Sequence, residues 1–81
     1  MKRALAELHN QLGIVLGQQG NLEEAARSLE QAVEFWPDLA PASSNLGNVL
    51  RLKGDLEGAA ERYGEALRLQ LPITLLYLTH T

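Results

Sequence analysis

Residues 45–66 read NLGNVLRLKGDLEGAAERYGEA, and residues 11–32 read QLGIVLGQQGNLEEAARSLEQA. The small residues stand at the same places in both stretches, because each recurs 34 residues later: Gly13, Gly20, Ala25 and Ala32 as Gly47, Gly54, Ala59 and Ala66. A fixed period of this length is typical of repeat proteins, in which each unit is too small to bury its own apolar face and stacks on its neighbour. The period therefore predicts a repeat fold.

Composition limits the size of the core and excludes several classes of function. The chain has 81 residues, of which 46% are apolar, so it has room for one small domain with a modest core. It contains no cysteine, which excludes disulfides, thiolate metal sites and cysteine nucleophiles. Its formal net charge is −3, so no overall positive field would attract nucleic acid, and we expect no nucleic-acid partner.

The termini give no indication of a membrane protein. Lys2 and Arg3 resemble the start of a signal peptide, but Glu7, His9 and the amides that follow interrupt the apolar segment of about 7–15 residues that a signal requires. The most apolar run, residues 71–78, is far shorter than the roughly 20 residues that span a bilayer. The sequence therefore predicts a cytoplasmic protein without a membrane partner.

Apolar residues at three- and four-residue spacing predict a first pair of helices. A helix over residues 2–18 has a stripe expected to face the core, made of Leu5, Leu8, Leu12, Val15 and Leu16. Gly20 closes this helix in the left-handed conformation, and Asn21 with Glu24 forms a predicted capping box for a second helix over residues 22–35. The buried stripe expected for the second helix is Leu22, Ala25, Ala26, Leu29, Ala32 and Val33.

The same pattern predicts a second pair. A third helix begins near residue 40 with Pro41 tolerated in its first turn, and its core stripe is Ala42, Leu46, Val49 and Leu50. Asp55 is the predicted N-cap of a fourth helix over residues 56–70. Its inward face is expected to be Leu56, Ala59, Ala60, Tyr63, Ala66, Leu67 and Leu69. Residues 74–81 are predicted to fold back as a short cap or partial third unit, within a single domain of residues 1–81.

Small side chains at the repeated positions have a packing reason. A large side chain where two antiparallel helices cross would hold the helices apart, so Gly13 and Ala25, like Gly47 and Ala59, permit close approach. The residues expected to pack the repeats are Leu12, Gly13, Gly20, Ala25, Ala32, Leu46, Gly47, Gly54, Ala59, Tyr63 and Ala66.

On these positions the chain resembles a tetratricopeptide repeat (TPR) protein, with two full repeats at residues 6–39 and 40–73. It departs from the family pattern where an aromatic residue is usual early in the repeat, since His9 and Ser43 stand there. The sequence of residues 44–50, SNLGNVL, is similar to repeats of bacterial TPR proteins and of the O-GlcNAc-transferase-like branch. The resemblance implies an all-α fold, a short right-handed α-solenoid whose first helices line a concave groove for peptides.

Helical periodicity also identifies the face that is available to a ligand. Opposite the leucine stripe, the first helices carry the candidate groove residues Asn10, Gln11, Ile14 and Gln18, then Ser44, Asn45, Asn48 and Arg51. An amide carries a donor and an acceptor, so these side chains can pair with the backbone of an extended peptide. The alternative is that they are ordinary solvated helix residues.

Charge is divided between the helices of each pair. Seven of the ten acidic residues lie on the second helices, whereas the first helices carry Lys2, Arg3, Arg51 and Lys53. The less acidic groove favours a protein or peptide partner that is acidic or presents its C-terminus. The chaperone-binding TPR clamp would need a lysine at Asn10 and an asparagine at Ile14, so that subclass is not expected.

No residue pattern supports catalysis. His9 and His80 have no acidic residue at metal-ligand spacing, so we expect no metal, no cofactor and no enzymatic activity. The sequence predicts a non-catalytic interaction scaffold. Two alternatives stay open: a substrate-recruiting segment of a larger glycosyltransferase-like enzyme, and a self-assembling module, with weak homodimers expected through an incompletely covered C-terminal end.

Overall fold

A computed structural model describes residues 1–70, and it contains two helical hairpins. The helices are α1 (Lys2–Gln18), α2 (Leu22–Phe35), α3 (Ala40–Lys53) and α4 (Leu56–Gln70). α1 packs along α2 and α3 packs along α4, while α2 joins the hairpins by packing on α3. The predicted all-α helical repeat is therefore confirmed. The expected cap at residues 74–81 lies outside the described residues.

The two turns within the hairpins have the same construction. Gly20 and Gly54 have φ of 84° and 92°, the left-handed region that glycine enters without steric cost. The following residue reaches back in each case: the Asn21 N–H donates to the Leu16 carbonyl, and the Asp55 N–H donates to the Leu50 carbonyl, both at 2.9 Å. This Schellman arrangement satisfies carbonyls that the helix end leaves free.

The starts of α2 and α4 differ. In α4 the Gly58 N–H donates to Asp55 Oδ1 at 3.0 Å, which is the predicted cap. In α2 the Asn21 side chain makes no cap hydrogen bond, so the predicted capping box with Glu24 is wrong. Asn21 is exposed, so its side-chain amide can hydrogen-bond to water instead of to the N–H groups at the start of α2.

The core lies where α2 meets α3. It consists of Ala25, Ala26 and Leu29 from α2 with Leu46 and Val49 from α3, and Leu16, Leu22 and Leu50 pack against its edges. Small residues allow the close helix approach around it. A Cβ added at Gly13 would lie 2.5 Å from Leu29 Cγ, and one added at Gly47 would lie 2.8 Å from the Tyr63 ring. At these distances a side chain at either position would force Leu29 or Tyr63 to shift, so the two glycines permit the packing seen here.

The face that α1 buries is not the predicted one. Leu5, Leu8, Leu12 and Val15 are exposed, so Leu12 is not a packing residue in this structure. The buried residues of α1 are Ala6, Asn10 and Gly13. Gly13 faces Ala25 and Leu29 of α2, where a side chain would not fit without a shift, and Asn10 bonds to Asn45 of α3. Of the predicted stripe, only Leu16 is partly buried, where it packs against the core.

α4 shows the same difference. Ala59 and Ala66 are buried and Tyr63 is half-buried, but the rest of the predicted inward face is exposed: Leu56, Ala60, Leu67 and Leu69. α4 is the last described helix and packs mainly on α3, so the side of α4 that faces away from α3 lacks a further helix within residues 1–70. In the same part of the chain, none of the helices has both the length and the apolar character needed to cross a bilayer.

Ser43 provides a stability prediction. Its side chain is fully buried, and its Oγ has no hydrogen-bond partner among the described residues. Burying an unpaired hydroxyl costs about 1–3 kcal/mol, so Ser43→Ala is expected to raise the free energy of unfolding by about 1 kcal/mol or more in urea titrations. The half-buried neighbour is the control, since Ser44→Ala gains only helix propensity. A Ser43→Ala protein less stable than Ser44→Ala would contradict the assignment of an unpaired hydroxyl.

Candidate functional site

A groove of about 240 Å³ runs between α1 and α3 on one face of the two hairpins. It is lined by Gly13, Ile14, Gly17, Gln18, Leu29, Asn45, Asn48, Val49 and Leu52. The two glycines of α1 keep the groove open because they place no side chain in it. The groove thus combines apolar side chains with three amides, which is the mixture expected of a ligand site.

The groove brings together half of the predicted site residues. Ile14 and Gln18 of α1 meet Asn45 and Asn48 of α3 along its walls. Asn10 and Gln11 instead line a separate depression of about 500 Å³ near the N-terminal half of α1, with Ala4, Glu7, Leu8 and Leu39. Ser44 and Arg51 line neither of these depressions.

Asn10 is a structural residue here and not an exposed groove residue. It is 7% exposed, and its Oδ1 accepts a hydrogen bond of 3.0 Å from Asn45 Nδ2. This bond joins the first hairpin to the second, and a buried amide needs such a partner. Asn45 keeps one N–H and its Oδ1 for another partner, so it can still contact a ligand.

Tyr63 organises the other end of the α3 surface. Its hydroxyl donates to Asn48 Oδ1 and accepts a bond of 3.4 Å from Arg51 Nε. The Tyr63 ring lies against Gly47 of α3. Tyr63 of α4 therefore positions two polar side chains of α3, Asn48 and Arg51. Asn48 retains its N–H₂ group, and Arg51 retains the terminal nitrogens of its guanidinium, for a ligand.

An ion pair also links the hairpins. Lys53 Nζ of α3 lies 2.7 Å from Glu23 Oε1 of α2. The hydrogen bond from Lys53, and then its charge, hold the pKa of Glu23 below its ordinary value. Because Lys53 is paired in this way, it is less available to a negatively charged ligand than the sequence alone indicates.

Five groove residues were not among the predicted groove residues: the glycines Gly13 and Gly17, and three apolar side chains. Val49 and Leu29 belong to the core and form the apolar floor, and Leu52 is exposed on the rim. Leu52 could have been found from sequence, since it follows Asn45 and Asn48 by seven and four residues on the same helical face.

His9 has a packing role. Its ring stacks on Phe35 with 5.7 Å between ring centroids, while the Arg3 guanidinium lies 4.7 Å from the Trp36 ring centroid. These contacts tie the start of α1 to the end of α2. Within residues 1–70, no group of three or more acidic or histidine side chains is placed to hold a metal ion.

The stacked hairpins define an α-helical repeat solenoid. A family model described as tetratricopeptide repeat matches residues 4–71, and the chain belongs to that family. Repeats of this family generally mediate protein–protein interactions, and their fold is not itself catalytic. No curated protein matches the chain with significant similarity.

Proposed function

We propose that the chain is a non-catalytic scaffold that binds an extended peptide segment of a partner protein in the groove between α1 and α3. The observation that carries this proposal is the groove lining, in which Gln18, Asn45 and Asn48 stand beside the apolar Ile14 and Leu52. Amides on both walls can pair with peptide N–H and C=O groups, and the apolar side chains can receive alternate side chains of the ligand.

The proposed ligand is acidic or ends in a free carboxylate. Arg51 is exposed at the edge of the α3 surface, and its contact with the neutral Tyr63 hydroxyl is a long hydrogen bond; among residues 1–70 its guanidinium forms no ion pair. The groove lining itself contains no carboxylate among the described residues, so it would not repel an anion. The pairing of Lys53 with Glu23 limits the positive charge and makes this preference modest.

The substrate-recruiting alternative has less support. The O-GlcNAc-transferase-like repeats that residues 44–50 resemble carry a ladder of asparagines along the groove, in which Asn45 and Gln11 would be successive rungs here. Asn45 lines the groove, but Gln11 lines the other depression. The third rung, Thr79, lies outside the described residues. This alternative and the cytoplasmic location therefore stay predictions from sequence.

Binding can be tested with synthetic octapeptide pools sorted into acidic, neutral and basic sets, each with a free or an amidated C-terminus. We expect the acidic pool with free carboxylates to bind best in fluorescence polarisation, with an affinity that falls as salt is added. Equal binding of all pools would contradict the charge preference while leaving the groove in place.

The groove itself is tested by substitutions that spare the internal hydrogen bonds. The Gln18 side chain takes part in none of the side-chain hydrogen bonds within residues 1–70, and Leu52 is 58% exposed, so Gln18→Ala and Leu52→Ala should leave the fold unchanged. Each is expected to weaken peptide binding by about 1 kcal/mol, or roughly fivefold. Gln31→Ala on the exposed side of α2 is the control. Unchanged affinity in both groove variants would place the site elsewhere.

A further inference from the structure

The exposed apolar face of α1 has a buried counterpart in the same chain. The residues that form this face, called here the α1 stripe, are Leu5, Leu8, Leu12 and Val15, which are 44%, 66%, 48% and 48% exposed. The residues 34 positions later are Leu39, Ala42, Leu46 and Val49 of the second hairpin. Of these, Leu46 and Val49 belong to the core formed with α2, and Ala42 is fully buried. The α1 stripe is therefore the surface on which a helix equivalent to α2 would pack.

α4 presents that equivalent helix at the other end. Its residues Leu56, Ala60 and Leu67, called here the α4 face, stand 34 positions after Leu22, Ala26 and Val33 of α2. In α2, Ala26 is a core residue and Leu22 packs against the core. In α4, Leu56 and Leu67 are 67% and 55% exposed. Within residues 1–70, each side of the two-hairpin unit thus carries one half of the interface that is complete between α2 and α3.

We propose that the α1 stripe of one copy of this chain receives the α4 face of a second copy, as α3 receives α2 within the chain. The arrangement continues the internal α2–α3 interface in the same register, so it uses a packing geometry that this sequence already adopts. It also covers two apolar faces at once, which is a driving force for association.

Polar positions at the proposed junction agree with this register. The bond between Asn10 and Asn45 would be replaced by Ser44 of one copy facing Gln11 of the next, a hydroxyl and an amide that can hydrogen-bond. The pair of Glu23 and Lys53 would be replaced by Glu57 facing Gln19. Neither replacement places like charges together, so neither of these two pairs opposes the contact by repulsion.

The proposed contact is heterologous, because it joins two different surfaces of the chain. Each copy keeps one free α1 stripe and one free α4 face at the ends, so further copies can add in a row. This distinguishes it from a symmetric dimer through the C-terminal end alone, in which two α4 faces would meet and the α1 stripe would stay uncovered.

The test is sedimentation velocity on the full chain with two exposed substitutions, Leu8→Glu and Leu67→Glu. We expect the sedimentation coefficient of the unmodified chain to increase with protein concentration between roughly 10 µM and 1 mM, the range in which weak association is seen. Each variant buries an unpaired charge in one half of the contact, so each is expected to associate at least about tenfold more weakly. Gln31→Glu adds the same charge to α2 outside both surfaces and should associate like the unmodified chain. Circular dichroism confirms that the variants keep their helices.

Mixing the variants decides the geometry. The Leu8→Glu copy keeps an intact α4 face and the Leu67→Glu copy keeps an intact α1 stripe, so an equimolar mixture is expected to form a heterodimer that neither variant forms alone. If only Leu67→Glu abolishes association, two α4 faces meet and the proposal is wrong. If only Leu8→Glu abolishes it, two α1 stripes meet, which also overturns it. An unmodified chain that stays monomeric throughout overturns it as well.

Discussion

Replacing Leu29 with alanine is expected to lower the free energy of unfolding by about 2–5 kcal/mol, a large part of the roughly 5–15 kcal/mol that stabilises a typical domain. The side chain of Leu29 is fully buried in the core between the hairpins, and it also contacts the position where Gly13 lacks a side chain. Its removal leaves a cavity that the rigid helices around it cannot close. Urea unfolding followed by circular dichroism measures the loss.

The matched control is the same substitution on the exposed stripe. Leu12 is 48% exposed, so Leu12→Ala is expected to cost under about 1 kcal/mol at a protein concentration low enough to avoid association. Equal losses for the two variants would mean that Leu12 is buried, and the orientation of α1 described above would then be incorrect.

Ala59→Trp is expected to unfold the second hairpin. Ala59 is 3% exposed where α4 crosses α3, and overpacking at such a site costs about 1–3 kcal/mol, and more where the backbone must shift. Because α3 also supplies half of the core with α2, loss of the second hairpin should remove the cooperative melting transition of the whole unit.

The adjacent residue provides the control for this prediction. Ala60 is exposed, so Ala60→Trp should retain the helical signal and most of the melting temperature in circular dichroism. If Ala59→Trp melts at the temperature of the unmodified chain, Ala59 does not lie at the helix crossing.

Local signals were enough to predict the helices. Gly20 and Gly54 have the positive φ that their turns require, and α2 ends two residues before Pro37, because a proline disfavours the helical conformation in the residue before it. These effects act within a few residues, so the local sequence is enough to predict them. The internal period then predicted how the hairpins repeat.

The buried face of α1 could not be predicted in the same way. Hydrophobic spacing shows that Leu12 and its neighbours form an apolar stripe, but a helix in a repeat fold has one face toward its hairpin partner and another toward the adjacent repeat. Periodicity does not tell which of the two is occupied. The smaller residues Ala6 and Gly13 face α2 because close approach of the backbones matters more there than the area of the side chains.

The candidate site was predicted only in part for a related reason. Gln18, Asn45 and Asn48 follow from the helical face alone. The buried Asn10 bonds to Asn45, which lies 35 residues later in the sequence, in the next hairpin. The distance between these two side chains is set by how the hairpins stack. Sequence spacing within one helix carries no information about it.

The most direct test of the proposed groove is a two-dimensional ¹⁵N NMR titration of the full chain with the tightest-binding octapeptide pool. The side-chain amides of Gln18, Asn45 and Asn48 give their own signals, and they line the groove from both helices. We expect these signals to shift progressively with peptide, together with backbone signals near Ile14 and Leu52, while the signal of Gln31 on α2 stays unchanged. Shifts confined to α2 and α4, with the three groove amides unaffected, would contradict the proposed groove.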